Sequence, residues 1–259
     1  MKGKFLRENN LKPYSRSYLT MFGSEQALQQ PIFFALALIS AIFTIGYFWG
    51  NRYNKKLFLA LYDELIDVIK PENQEYGTVG GTAEYYADFR LKQESSLDRI
   101  DAKFTFLPRH MWPYLPFAML IDKYDKLLIA LHVKQKLSDE GHIIEARYAK
   151  TWKARIANID QLNKMNVKWG KQDYYMYWRS KKAYARFKEL IDTAGDPGGI
   201  RHIAFIPDQK KCFIFMVPLK GHVVKDLAPV YERILSRMGG AGNREISPDV
   251  PEDDETSSV

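Results

Sequence analysis

An unbroken apolar run from Ile32 to Trp49 limits this chain more than any other feature. As a helix its 18 residues rise roughly 27 Å, close to the ~30 Å hydrocarbon layer of a bilayer, and no charged side chain interrupts them. Ten of the 18 are Ile, Leu or Phe, each favouring insertion by roughly 0.3 to 0.6 kcal/mol near a helix centre. Pro31 suits a first helical turn, and Tyr47, Phe48 and Trp49 gather where aromatic rings prefer the membrane interface. Residues 31–50 are therefore read as a single transmembrane helix preceded by a tail, 1–30. A cleaved signal peptide would have a shorter apolar core and a small-x-small site, which the residues after Trp49 do not offer. The alternative is the buried helix of a soluble protein.

Charge sets the expected orientation. Downstream of the run lie Arg52, Lys55, Lys56 and Lys70, and upstream within the same short distance only Lys12 and Arg16. The positive-inside rule then places residues 51–240 in the cytosol. The single cysteine, Cys212, excludes an intrachain disulfide framework and fits a reducing compartment. Its neighbours, Lys211 and Phe213-Ile214-Phe215, read as a strand, with no local base to activate a thiol. The end of the chain, 241–259, carries Glu245, Asp249, Glu252, Asp253, Asp254 and Glu255 among Pro and Ser, the composition of a disordered acidic tail.

Periodicity predicts an α+β domain with mainly antiparallel strands. Leu57, Phe58, Leu61, Leu65, Ile66 and Ile69 recur at helical spacing, which continues the spanning helix as a stalk over 51–70. Gly77 to Thr82 lacks the spacing and the terminal Lys-Ser/Thr of a phosphate loop and reads as a turn. Tyr86–Lys92 and Ala102–Leu107 alternate as a hairpin around Ser95–Arg99. Pro108, Pro113 and Pro116 introduce a short apolar helix, and Lys126–Val133 reads as a strand. From Ile144 to Leu162 the spacing predicts a basic amphipathic helix through Tyr148, Trp152, Ile156 and Ile159. Tyr174–Trp178 is a strand, Ser180 caps a helix with core face Ala183, Tyr184, Phe187, Leu190 and Ile191, and Ile200–Ile206 pairs with Lys211–Leu219. A last helix follows with Asp226 as N-cap and Pro229 in its first turn.

Enzymatic constellations are missing, and the chain is read as noncatalytic, with no cofactor, metal site or small-molecule substrate. His110, His132, His142, His202 and His222 form no ligand spacing, and Asp122 with Asp125 is explained by a solvated helix end better than by an acid pair. Three surfaces carry interaction signals instead. From Arg147 to Lys188 twelve basic residues stand against Asp160 and Asp173. There Lys164, Lys168, Lys171, Lys181 and Lys182 are the expected contacts, and Trp169, Tyr174, Tyr175 and Trp178 are available for stacking. Ribosomal RNA and an anionic membrane both fit, as does a merely solvated face. Ala37, Ser40, Ala41 and Thr44 make a small-residue strip for a partner helix in the membrane, or are simply tolerated against lipid. Met111, Trp112, Leu115, Phe117 and Met119 either dock hydrophobic clients and partner helices or pack on the domain's own sheet.

Six short stretches carry a resemblance: Asn54-Lys55-Lys56-Leu57, Val79-Gly80-Gly81-Thr82, Phe106-Leu107-Pro108-Arg109-His110, Asp125-Lys126-Leu127-Leu128-Ile129, Arg179-Ser180-Lys181-Lys182-Ala183 and Phe213-Ile214-Phe215-Met216-Val217-Pro218. Their order resembles the calumin family, coiled-coil-containing membrane proteins of the endoplasmic reticulum that belong to the PAT complex of the multipass translocon, together with its archaeal relatives. The resemblance implies one span, a cytosolic α+β domain and a role beside the ribosome and translocon in inserting or chaperoning multispanning membrane proteins. The host membrane is then the endoplasmic reticulum in a eukaryote or the cell membrane in an archaeon, with other translocon or insertase proteins as partners. Two features depart from the family: the long acidic amino-terminal region is lacking, and an acidic tail replaces the basic coiled-coil end. A structural or assembly subunit of an import or respiratory complex is the alternative function.

Overall fold

The computed structural model describes residues 31–239 except 80, 136, 138, 152–155 and 157–158. The expected tails 1–30 and 241–259 lie outside these residues, as does Trp152. Helix α1, Pro31–Ile69, runs without a break from the apolar run into the domain. It is long and apolar enough at its amino-terminal end to cross a membrane. The change of environment along it is abrupt. Residues 31–45 are exposed on every side, whereas Gly50, Asn54, Phe58, Leu61, Tyr62, Leu65 and Ile69 are buried at three- and four-residue steps. The segment expected to be a stalk is thus a core helix, because its apolar stripe docks on the sheet instead of standing in water.

Nine strands among the described residues form one antiparallel sheet: β1 Asn73–Thr78, β2 Glu84–Arg90, β3 Leu97–Thr105, β4 Lys126–Val133, β5 Gly141–Glu145, β6 Asn163–Trp169, β7 Gln172–Trp178, β8 Ile200–Ile206 and β9 Lys211–Met216. Their order is β1-β2-β3-β4-β9-β8-β5-β7-β6. The helices are α2 Leu115–Ile121, α3 Ala146–Ala149, α4 Lys181–Thr193 and α5 Val223–Gly239. One face of the sheet is covered by α1, α4 and α5, whose buried side chains (Phe58, Leu61, Leu65; Tyr184, Phe187, Leu190; Leu227, Val230, Ile234) join the inward strand residues in one core. On the opposite face a smaller cluster of Ile144, Leu162 and Tyr177 is covered by Tyr148, Ala149 and Ile156.

Further sequence expectations need correction. The Gly-rich stretch is not all turn, since Gly77 and Thr78 pair with Tyr86 and Tyr85 as the end of β1. The amphipathic helix expected from Ile144 is replaced by β5 and the single turn of α3, because Ile143 and Ile144 are buried on opposite faces of the sheet. Strand β6 passes through what was read only as a basic contact segment. Helix α5 begins at Val223, so Asp226 is not its N-cap and Pro229 lies inside the helix. The Asp226 carboxylate accepts the Gly199 N–H at 2.7 Å. The start of α5 is capped from α1, where Glu64 accepts the N–H groups of Gly221 (2.7 Å) and Val223 (2.8 Å). A carboxylate at a helix amino terminus satisfies orphan donors and meets the positive end of the dipole. Ser180 caps α4 as its position suggested, accepting from the Ala183 N–H at 3.2 Å.

Candidate functional site

Just past the apolar run, a buried polar side chain interrupts the core face of α1. Asn54 has no solvent exposure. Its amide donates to the carbonyls of Leu107 (3.1 Å) and Thr82 (3.3 Å), and its Oδ1 accepts from Arg109 Nη1 at 3.0 Å. Arg109 in turn makes a two-pronged pair with Asp125, Nη1 to Oδ1 at 2.9 Å and Nη2 to Oδ2 at 2.8 Å, while its guanidinium lies 5.0 Å from the Tyr53 ring centroid. Asp125 Oδ1 also accepts the Leu107 N–H at 2.8 Å. Both amide protons and the oxygen of Asn54 are used, which is the condition under which a buried polar network rigidifies a fold. Gly50 permits the approach, because an added Cβ there would overlap the backbone carbonyl of Arg109. Residues from four of the six stretches named above therefore meet at one point.

This latch straps residues 106–110 across α1 and carries the following segment along the apolar run. The Trp112 ring lies 5.7 Å from Phe43 between centroids and fills the notch left by Gly46, while His110 meets Tyr47 edge to face at 5.9 Å. Beyond it α2 is held by Ala118, its one buried side chain, above a cleft of about 120 Å³ lined in part by Phe106, Leu107, Tyr114 and Tyr124. Met111, Trp112, Phe117 and Met119 are exposed and Leu115 is half-buried. Of this segment's apolar residues only Ala118 is buried, and Met111, Trp112, Phe117 and Met119 present their side chains outward. Asp122 serves Lys126 (2.6 Å) and Asp125 serves Arg109, so the two are not an acid pair.

The strip of Ala37, Ser40, Ala41 and Thr44 is exposed on α1, and the Thr44 hydroxyl donates to the Ser40 carbonyl at 2.8 Å. The five lysines are not brought to one point. Lys168 is the penultimate residue of β6 and Lys171 lies in the turn to β7. Lys164 lies at the other end of that hairpin, about 13 Å away along the strand, where α4 begins with Lys181 and Lys182. All five are exposed, and the Lys164 ammonium sits 4.3 Å from the Tyr175 ring centroid. Trp169 and Tyr174, expected to be available for stacking, are 1 % exposed. Their polar atoms are committed to the backbone carbonyls of Gly195 and Ile200, each at 2.6 Å.

Among the described residues no three His, Cys, Asp or Glu side chains gather as a metal-ligand set. Cys212 is fully buried in β9, and burial pushes its thiol well above the ordinary range. No protein-family model and no curated protein matches the chain.

The sheet face away from α1, α4 and α5 also holds two histidines side by side. His142 Nδ1 and His202 Nε2 are 3.3 Å apart, with Glu140 3.7 Å from His142 Nε2. Burial, reinforced by His142, holds His202 down to about 3; burial also lowers His142, opposed by Glu140. Both folded-state values lie below the ordinary ~6.5, so below that pH the unfolded chain binds more protons and stability falls as pH falls. The loss is expected to reach up to about 1.4 kcal/mol per pH unit for each histidine that stays neutral. Denaturant midpoints of the full chain in detergent, measured at pH 7, 6 and 5, should decline, and His202→Phe should flatten the decline. Equal midpoints at pH 7 and 5 would contradict it.

Proposed function

We propose that the chain is a noncatalytic, single-span membrane protein whose α+β domain faces the cytosol. In this reading it assists the insertion or chaperoning of multispanning membrane proteins beside the ribosome and the protein-conducting channel. The observation that carries it is the latch of Asn54, Arg109 and Asp125, which presents an exposed apolar segment beside the apolar end of α1. The residues that build this latch belong to the stretches resembling the calumin family. Arg52, Lys55 and Lys56 are exposed directly after the run, which supports the cytosolic side for the domain. Lysines on the β6–β7 hairpin and the start of α4 supply the positive surface for ribosomal RNA, and the exposed face of the run supplies that for neighbouring membrane proteins. The host is the endoplasmic reticulum or an archaeal cell membrane.

The test uses the full chain in lipid nanodiscs with purified ribosomes at low salt. Co-sedimentation should fall about tenfold when Lys164, Lys168, Lys181 and Lys182 are reversed to Glu, since each phosphate contact adds to the salt-dependent part of binding. Failure to co-sediment, together with a native purification that recovers import or respiratory subunits and no translocon, would replace this reading with that of an assembly subunit.

A further inference from the structure

Between His110 and Asp122 lie eleven residues without a charge, Met111 to Ile121. Trp112 is 41 % exposed, Phe117 63 %, Leu120 77 % and Ile121 61 %. A surface this apolar needs an occupant. The position of the segment identifies which. Trp112 packs on Phe43 and Gly46, which lie six and three residues inside the end of the run at Trp49. At 1.5 Å per residue that is about 5 to 9 Å deeper along the helix than the boundary. An interfacial helix buries its apolar face to this same depth, about 5–10 Å.

We infer that residues 111–121 dip into the leaflet on the domain side of the span, so that the bilayer itself covers α2 and gives the domain a second membrane contact. This rests on the single-span reading of α1. The backbone suits such a place, where unpaired amides are costly. Pro113 and Pro116 have no N–H to satisfy. The amides of Met111, Tyr114, Ala118 and Asp122 bond to the carbonyls of Pro108, Met111, Tyr114 and Ala118, at 2.7 to 3.0 Å. Charges flank the segment without entering it: Arg109 is turned inward onto Asp125, and exposed Lys123 follows α2, as Arg52, Lys55 and Lys56 follow the run. With two points of attachment, α1 and α2, the sheet has a fixed tilt and rotation above the membrane.

The experiment places a spin label on the full chain in phosphatidylcholine vesicles at Phe117→Cys or Leu120→Cys, with Ile39→Cys marking the span and Lys92→Cys marking an exposed loop. Cys212, fully buried, stays in place, and the unaltered chain gives the labelling background. At 117 and 120 collisions with oxygen should exceed those with a water-soluble nickel chelate, as at 39, and the order should invert at 92. Nickel access at 117 and 120 with a lipid-exposed label at 39 overturns the inference and leaves the proposed function standing. Shielding of 117 and 120 from both reagents also overturns it, since a protein then covers the segment. A label at 39 that is itself open to nickel overturns the anchoring as well.

Discussion

Replacing Arg109 by alanine is expected to destabilise the domain by about 3 kcal/mol, at the low end of the 3–5 kcal/mol that breaking a buried ion pair costs. The low end applies because the Arg109 and Asp125 side chains keep 17 % and 13 % of their exposure. Most of that loss comes from what is left behind: the Asp125 carboxylate without its guanidinium and Asn54 Oδ1 without a donor, both enclosed by residues 106–110. Two further variants separate this cause from simple loss of packing. Asp125→Asn keeps an oxygen for the Leu107 N–H and should cost less. The double replacement Arg109→Met with Asp125→Leu removes both charges and should recover much of the loss, since a well-packed apolar pair has no desolvation penalty to offset. Unfolding of the full chain in detergent micelles, followed by tryptophan fluorescence, gives the comparison. A single variant within 1 kcal/mol of the parent, by the same reasoning about buried charge, would mean that the latch is incidental to stability.

Phe58→Ala should cost as much or more, about 3–5 kcal/mol, the range for an aromatic removed from a full core. Phe58 is 1 % exposed. Its ring stacks on Tyr85 at 4.4 Å between centroids, meets Phe104 edge-on at 5.1 Å and lies 5.3 Å from Tyr76. It is thus the point where α1 is keyed to β1, β2 and β3 together. Lys56→Ala, two residues away and exposed, should change stability by less than about 0.5 kcal/mol. If the two variants behave alike in a denaturant titration, α1 is not seated on the sheet as described.

What could be read from the sequence follows from how one-sided each element is. Strand β4 was legible to the residue because Leu127, Ile129, Leu131 and Val133 all point into the core and leave a clean period of two. The cap and core face of α4, and the pairing of β8 with β9, carried equally local signals. Strand β1 gave none: as the sheet's edge it is almost wholly exposed, and Asn73 to Thr78 contains no apolar alternation. Strand β5 failed for the opposite cause, since burial on both faces erases the period and leaves Ile143-Ile144 looking like the start of a helix. In β6 the period was present, with Met165, Val167 and Trp169 inward and Lys164, Asn166 and Lys168 outward, but the charges drew the reading toward binding.

The latch was hidden for a different reason. Its members are far apart in the chain, Asn54 lying 55 residues from Arg109 and Arg109 lying 16 from Asp125, and spacing cannot reveal a contact that only the folded chain makes. One signal was available. Asn54 falls on the same helical face as Phe58, Leu61 and Leu65, and a polar residue on a core face calls for a partner elsewhere.

The strand order also bears on how the molecule is made. Strand β4 pairs on one side with β3 and on the other with β9, whose register Leu127 to Met216 joins positions far apart in the chain. During synthesis α1 emerges before any strand, yet the middle of the sheet stays open until β9 has left the ribosome, and α5 closes over α1 only after that. Long-range antiparallel closure of this kind is slow. A half-made chain therefore carries the inner edge of β4 unpaired, a period in which a holding chaperone has the most to do.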